Sequence, residues 1–322
     1  MQLGNIGNSK VVVYLLSAFA IFLWGFSYIW SNELIYNDIP IYYFVTIRIA
    51  IAGCVLLLFN LVTRQFQKIR NTRDFLYFLM LSVCEPFIYF IAETYGIKET
   101  ASPTISAMVI ATVPVFSMIV GFVAFKEKVT GINVAGLVLT LAGLFLVLST
   151  QLGPEVGQNF ILGLVLLFVA VISEVCHASL TKHLAATYKP HVIVMYQFLI
   201  GSVYFIPLFM TEGIRNFTPF YVSWEVMRPI LYLAILCSAI AFALWAYTIK
   251  SLGVAKSSIF LAMISVVTAL AAHFTGHETL GPLQWTGVAI SAVGIIFSQY
   301  AGRQKPEPVH IRESEKFDSM YE

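Results

Sequence analysis

The sequence predicts an all-α integral membrane protein with ten transmembrane helices arranged as two inverted five-helix repeats. Three observations carry this. Hydrophobic residues make up 59% and charged residues 11% of the 322-residue chain, and mean hydropathy is +0.83. Soluble domains carry about 25% charged residues; a surface facing lipid excludes them, because each Asp, Lys or Arg at mid-membrane costs on the order of 3 kcal/mol. Apolar runs of spanning length, about 20 residues, recur ten times, and Lys and Arg fall almost entirely on alternate links.

The runs cover 12–31, 40–60, 75–95, 103–125, 132–150, 161–182, 191–211, 228–249, 257–275 and 284–301. The first follows Lys10 without a small-residue cleavage motif and so reads as a spanning helix rather than a signal peptide. The links are short apart from the basic 61–74 segment and 212–227. The stretch 302–322 turns polar, holds Pro306 and Pro308, and reads as a solvated, disordered cytoplasmic tail. With the N-terminus inside, Lys10, the 61–74 cations, Lys126, Lys128, Lys182, Lys189, Lys250, Lys256 and the tail cations share the inner side. Only Lys98, Arg215 and Arg228 lie outside, and Arg48 is left within the bilayer. Such asymmetry predicts a multi-pass protein of the inner (plasma) membrane with both termini cytoplasmic.

The halves repeat at a nearly constant offset. Leu34 matches Leu184 and Pro40 matches Pro190; Tyr95-Gly-Ile-Lys matches Tyr247-Thr-Ile-Lys; Glu127, Gly136 and Gly143 match Glu278, Gly287 and Gly294. The repeats are placed at 12–150 and 161–301. Five helices is an odd number, so the second copy runs upside down, an arrangement that puts a substrate site at the midplane junction of the halves. The paired glycines lie on one helical face and suit close backbone approach.

Together these features resemble the drug/metabolite transporter superfamily, specifically its EamA-type members. The resemblance rests on Leu23 to Asn32, on Pro40 with Arg48, on Thr112 to Leu148, and on its echo from His277 to Gly294. It implies ten helices, cytoplasmic termini and efflux of small metabolites, often amino acids. Arg48 has no counterpart in the second half, where Phe198 stands, and Glu174 and His177 belong to no motif of the family.

Ionisable residues inside spans are costly and so mark function by default. Arg48 lies about 12 Å beyond Pro40 at 1.5 Å per residue. It suits either an anionic group of a substrate, through its planar fork of donors, or a structural ion pair, with Glu174 as one candidate. Glu85, Tyr89 and Glu93 share a stripe; Pro86 loosens the helix beside Glu85 and frees a carbonyl, whereas Glu93 sits near the outer end, within reach of water. Glu174 and His177 are spaced i, i+3 and could bind and release a proton. Trp24, Tyr196 and Trp245 are candidate aromatic linings, while Trp30 and Trp224 suit the interface. His273 and His277 are weaker candidates, and Glu127 and Glu278 suit helix-end caps or pairs. Cys54, Cys84, Cys176 and Cys237 read as small core residues, without metal or disulfide spacing.

GxxxxGK[ST], HExxH and GxSxG motifs are absent, which argues against ATP-driven transport and hydrolysis. Asn216-Phe-Thr218 forms a glycosylation sequon, relevant only in a secretory pathway. The expected protein is not an enzyme and needs no cofactor, metal or nucleic acid. It is a secondary transporter and exporter whose partners are a small-molecule substrate, the lipid bilayer and, in one version, protons; its oligomeric state is open. The rivals are an intramembrane enzyme acting on lipid or isoprenoid through Glu174 and His177, and a channel or sensor. A wide continuous pore would favour the channel, a closed midplane cavity the carrier.

Overall fold

The computed structural model describes residues 10–117, 130–149, 159–215 and 217–298. Ten helices follow one another: α1 Lys10–Tyr36, α2 Ile41–Val62, α3 Thr72–Thr100, α4 Pro103–Ser117, α5 Gly131–Ser149, α6 Phe160–Ala185, α7 Pro190–Gly213, α8 Trp224–Leu252, α9 Val254–Phe274 and α10 Pro282–Ser298. A single 3₁₀ turn, Pro219–Val222, precedes α8. Several helices run past their apolar stretch. The helix of span 75–95 begins at Thr72, after the Asn71 side chain accepts from the Asp74 amide, and continues through Lys98 and Glu99. Backbone hydrogen bonding carries a helix into the polar interface where hydropathy stops. The end of span four at 118–125, Glu127, Lys126 and Lys128, Asn216 and the 302–322 tail lie outside the described residues.

Packing crosses between the halves. α1 lies on α8 and α9, and α6 lies correspondingly on α3 and α4; α2 pairs with α7, and α5 with α10. The outer surfaces stay apolar: Leu15, Leu58, Val138, Phe145, Ile161, Val203 and Phe274 are all exposed, as lipid contact requires. Cys54 and Cys176 are also on this surface, a correction to their reading as core residues; Cys237 is buried and all four thiols are free.

The repeated glycines make the α5–α10 contact. A Cβ at Gly143 would fall 2.6 Å from the Gly287 carbonyl oxygen, and one at Gly294 would fall 2.8 Å from that of Gly136. Such reciprocal backbone approach is possible only for small residues. Gly287→Leu is therefore expected to destabilise the protein by about 1–3 kcal/mol through overpacking, read as a lowered unfolding temperature in detergent. Gly131→Ala, where a Cβ meets nothing within 4 Å, should leave that temperature nearly unchanged.

The third helix of each half departs from regular α-helical winding. In α3 the Val83–Ile88 turn is wound wide, and Glu85 leaves helical geometry at φ −147°, ψ 123°. Pro86 explains this: it lacks an N–H and disfavours helical backbone at the residue before it. The Cys84 carbonyl, which takes the Tyr89 amide across the wide turn, also accepts from Ser173 Oγ of α6 at 2.6 Å. The Pro86 ring then seats against Gly201 of α7, where a Cβ would lie 2.7 Å from Pro86 Cδ. The matching stretch of α8, Tyr232–Ile240, is also wound wide.

Both ends of the bundle are tied across the halves. At one end, Arg228 Nη2 donates to Glu33 Oε1 at 2.7 Å and the Tyr43 hydroxyl to the Tyr221 carbonyl at 3.2 Å. At the end rich in Lys and Arg, Tyr188 donates to Asp74 Oδ2 at 2.6 Å and accepts from the Arg70 amide at 2.9 Å. Burial, then the hydrogen bond to Asp74, holds the Tyr188 phenol above its ordinary pKa, so it stays a donor there.

Candidate functional site

A cavity of about 30 Å³ lies between the halves. That volume admits about two waters and is too small for a metabolite. α1 contributes Trp24, Ser27 and Tyr28; α2 contributes Arg48; α3 contributes Glu85, Tyr89, Phe90 and Glu93. Glu174 of α6 and Phe242 of α8 face them, and Ile110 and Val113 of α4 meet Leu261 and Ile264 of α9.

The repeat offset maps part of this lining onto itself and part onto residues outside it. Shifted by 150–152 residues, Trp24 falls on Glu174, Ser27 on His177, Glu85 on Cys237, Phe90 on Phe242, Glu93 on Trp245, Ile110 on Leu261 and Val113 on Ile264. Equivalent positions therefore surround one pseudo-twofold axis with different chemistry. α3 and α6 present an ionisable wall. α1 and α8 present an aromatic one: Trp24 packs edge-on against Phe242 at 5.0 Å and Trp245 at 5.4 Å, and its Nε1 donates to the Cys237 carbonyl at 3.0 Å.

On the ionisable wall, His177 Nδ1 lies 3.0 Å from Glu85 Oε2 and 3.0 Å from Glu174 Oε2, all three residues being buried. These atoms lie within 4.8 Å of one another. Nδ1 shares a hydrogen bond with Glu174 and lies equally close to Glu85, whose Oε2 makes no hydrogen bond among the described residues. Glu93 accepts from the Tyr89 hydroxyl at 2.9 Å, with the Tyr28 phenol beside it. Arg48 donates from Nε to Ser238 Oγ at 2.8 Å and its guanidinium lies 4.2 Å from the Phe90 ring centre. Its field reaches Glu93. Opposite charges thus stand side by side at the cavity, with the guanidinium's remaining N–H groups free of any described hydrogen bond.

Of the candidate residues, Trp24, Arg48, Glu85, Tyr89, Glu93 and Glu174 line the cavity, and His177 ties two of them from behind. Five expectations need correcting. Glu93 is 6% exposed and so does not reach water. Glu174 pairs with His177, not Arg48, which among the described residues makes no direct carboxylate pair. Tyr196 lies towards the basic end, donating to the Gln67 carbonyl at 3.0 Å; Trp245 stands behind Trp24. Glu278 caps nothing: neither carboxylate oxygen accepts a hydrogen bond among the described residues. Phe90, Phe242, Ser238 and Gln197 were not singled out from the sequence; the 152-residue offset of Tyr95 and Tyr247 would have pointed to the phenylalanine pair.

Ten apolar helices in two repeats, irregular winding in the third helix of each, and buried ionisable groups at a cavity between the halves fit a multi-pass membrane transporter of the inverted-repeat type. The EamA-like transporter family model matches the chain twice, over residues 11–149 and 161–300. The chain belongs to the EamA-like transporter family. It is 23% identical over 279 residues to the uncharacterized transporter YetK of Bacillus subtilis (strain 168), covering 86% of this chain and 83% of that protein. An uncharacterized transporter of Archaeoglobus fulgidus is 23% identical, with 89% of this chain and 96% of that protein covered. A probable terminal-alkyne amino-acid exporter of Streptantibioticus cattleyicolor is 27% identical over 191 residues, covering 59% of this chain and 62% of that protein. A crystal structure with TM-score 0.70 and 16% identity, covering 92% of this chain and all of that one, shares the fold.

Proposed function

We propose that this chain exports a small zwitterionic, amphipathic metabolite of the amino-acid type across the plasma membrane, by alternating access coupled to inward proton movement. The observation that carries this reading is the two-walled cavity. Arg48 offers a charge-assisted anchor for a carboxylate, and Glu93, accepting from Tyr89 beside it, offers one for an ammonium. Trp24, Phe90 and Phe242 accommodate the side chain and favour a cation over their faces. The Glu85–His177–Glu174 cluster holds the coupling proton. The S. cattleyicolor relative, named as an amino-acid exporter, supports the cargo class, and the Lys and Arg asymmetry supports cytoplasmic termini. The small volume of the cavity supports a carrier over a channel.

Counterflow of a labelled panel of amino acids and other metabolites in proteoliposomes tests this, with and without an imposed pH gradient. The expected result is saturable flux of zwitterions, accelerated by unlabelled cargo on the opposite side and driven uphill by the gradient. Flux that neither saturates nor shows counterflow would contradict a carrier.

A further inference from the structure

His177 is held at both ring nitrogens. Nδ1 faces the two carboxylates at 3.0 Å. Nε2 lies 3.3 Å from Gln197 Oε1 on α7 and 3.3 Å from Thr181 Oγ1, one turn further along α6. Gln197 is fully buried, and its amide nitrogen has no hydrogen-bond partner among the described residues. A buried amide N–H without an acceptor is costly, so a specific role must hold it there. The α7 backbone beside it is fixed, since Ser82 Oγ donates to the Gln197 carbonyl at 3.0 Å.

A side-chain amide has an acceptor end and a donor end, and half a turn about its last torsion exchanges them. With Oε1 towards the ring, Gln197 accepts an N–H from a doubly protonated imidazole. Turned over, its NH₂ group donates to the lone pair of a neutral one. The Thr181 hydroxyl reverses its role in the same way. Nδ1 has no such choice, because it is hydrogen-bonded to Glu174 Oε2, which only accepts when ionised. The other groups around the ring do not alter this assignment. α3 brings Cys84, Tyr89 and Glu93 besides Glu85, and α6 brings Cys176. α2 brings Arg48 beyond Phe90, and α8 the Phe242 ring at 6.2 Å.

We propose that the coupling proton is gained and lost at His177 Nε2, and that Gln197 is the positioning residue that serves both charge states of the ring, with Thr181 assisting. Nδ1 keeps its proton between Glu85 and Glu174 throughout. On release the N–H bond at Nε2 breaks, its electron pair stays on nitrogen, and water takes the proton. Thr181 lies one turn nearer the basic end than His177, so release runs that way. This inference rests on the proton-coupled reading above.

Nitrogen chemical shifts of ¹⁵N-histidine-labelled, intact protein in lipid nanodiscs test it, with His177 assigned by its loss in His177→Asn. As pH rises, Nε2 is expected to become the unprotonated nitrogen while Nδ1 keeps its proton; loss of the Nδ1 proton instead would overturn the proposal. In proteoliposomes, Gln197→Leu removes both roles, but the bond from the charged ring is the stronger, so the midpoint of pH-dependent flux should move about one unit lower, with the half-saturation concentration for cargo unchanged. Gln197→Glu adds a charge that favours it and should move the midpoint up. Wild-type midpoints in both variants would also overturn the proposal. If wild-type flux ignores pH altogether, the proton-coupled reading itself fails, an outcome separate from either result on Gln197.

Discussion

Arg48→Met is expected to raise the half-saturation concentration for a zwitterionic cargo by about 100-fold, the equivalent of about 3 kcal/mol. Methionine keeps an apolar side chain over Phe90 but removes the charged fork that would grip a carboxylate. Losing one partner of a buried, charge-paired contact costs more than losing an exposed one, because the remaining charge is left without compensation in a low dielectric. Arg48→Lys retains charge without the planar geometry and should recover about tenfold of that loss. Concentration-dependent counterflow measures both variants, with thermal unfolding in detergent as the check that each folds. A cargo lacking its carboxylate should be indifferent to either change, and equal losses for both cargoes would make Arg48 structural.

The second large effect is uncoupling. Glu174→Gln replaces a carboxylate that contacts His177 Nδ1 at 3.0 Å with a neutral amide that no longer stabilises the charged ring. Exchange of labelled for unlabelled cargo needs no net proton movement, so its rate should stay within about threefold of wild type. Accumulation driven by a pH gradient should fall at least tenfold, since a tenfold gradient is worth about 1.4 kcal/mol and the variant cannot use it. Glu85→Gln should behave alike, because Glu85 makes the same contact from α3. Glu93→Gln should instead weaken cargo binding and leave coupling intact, which separates the two parts of the ionisable wall.

The ten helices were legible because lipid imposes a length and a composition on every span, and because Lys and Arg declare which links share a side. Arg48, Glu85, Glu174 and His177 stood out for the same reason: an ionisable group in an apolar run is costly and calls for a partner, structural or functional. Their partners did not. Glu85 meets His177 only because α6 packs on α3 of the other half, a swap that no helical period records. Gln197 is neutral and therefore escaped a search for charge. Tyr196, Cys54 and Cys176 were misplaced because the lipid-facing side of these helices is as apolar as the core, so hydropathy cannot tell which face turns inward. Glu93 was drawn towards water by its nearness to a helix end, although α3 continues to Thr100 and buries it. The most informative feature was present but unread: at 150–152 residues the repeat places Glu174 opposite Trp24 and Glu93 opposite Trp245. Duplication thus gave the cavity its symmetry, and divergence of the copies gave it one charged and one aromatic wall.

The most direct test of that two-walled cavity is competition during counterflow by a matched set of compounds: an apolar α-amino acid that the carrier moves, its methyl ester, and the same acid without its amine. The arrangement of Arg48, Glu93 and the aromatic wall predicts that the intact zwitterion competes and that removing either charge weakens competition by about tenfold or more. Equal competition by all three would mean that the cavity reads only apolar bulk, and would contradict the assignment of Arg48 and Glu93 as its two poles.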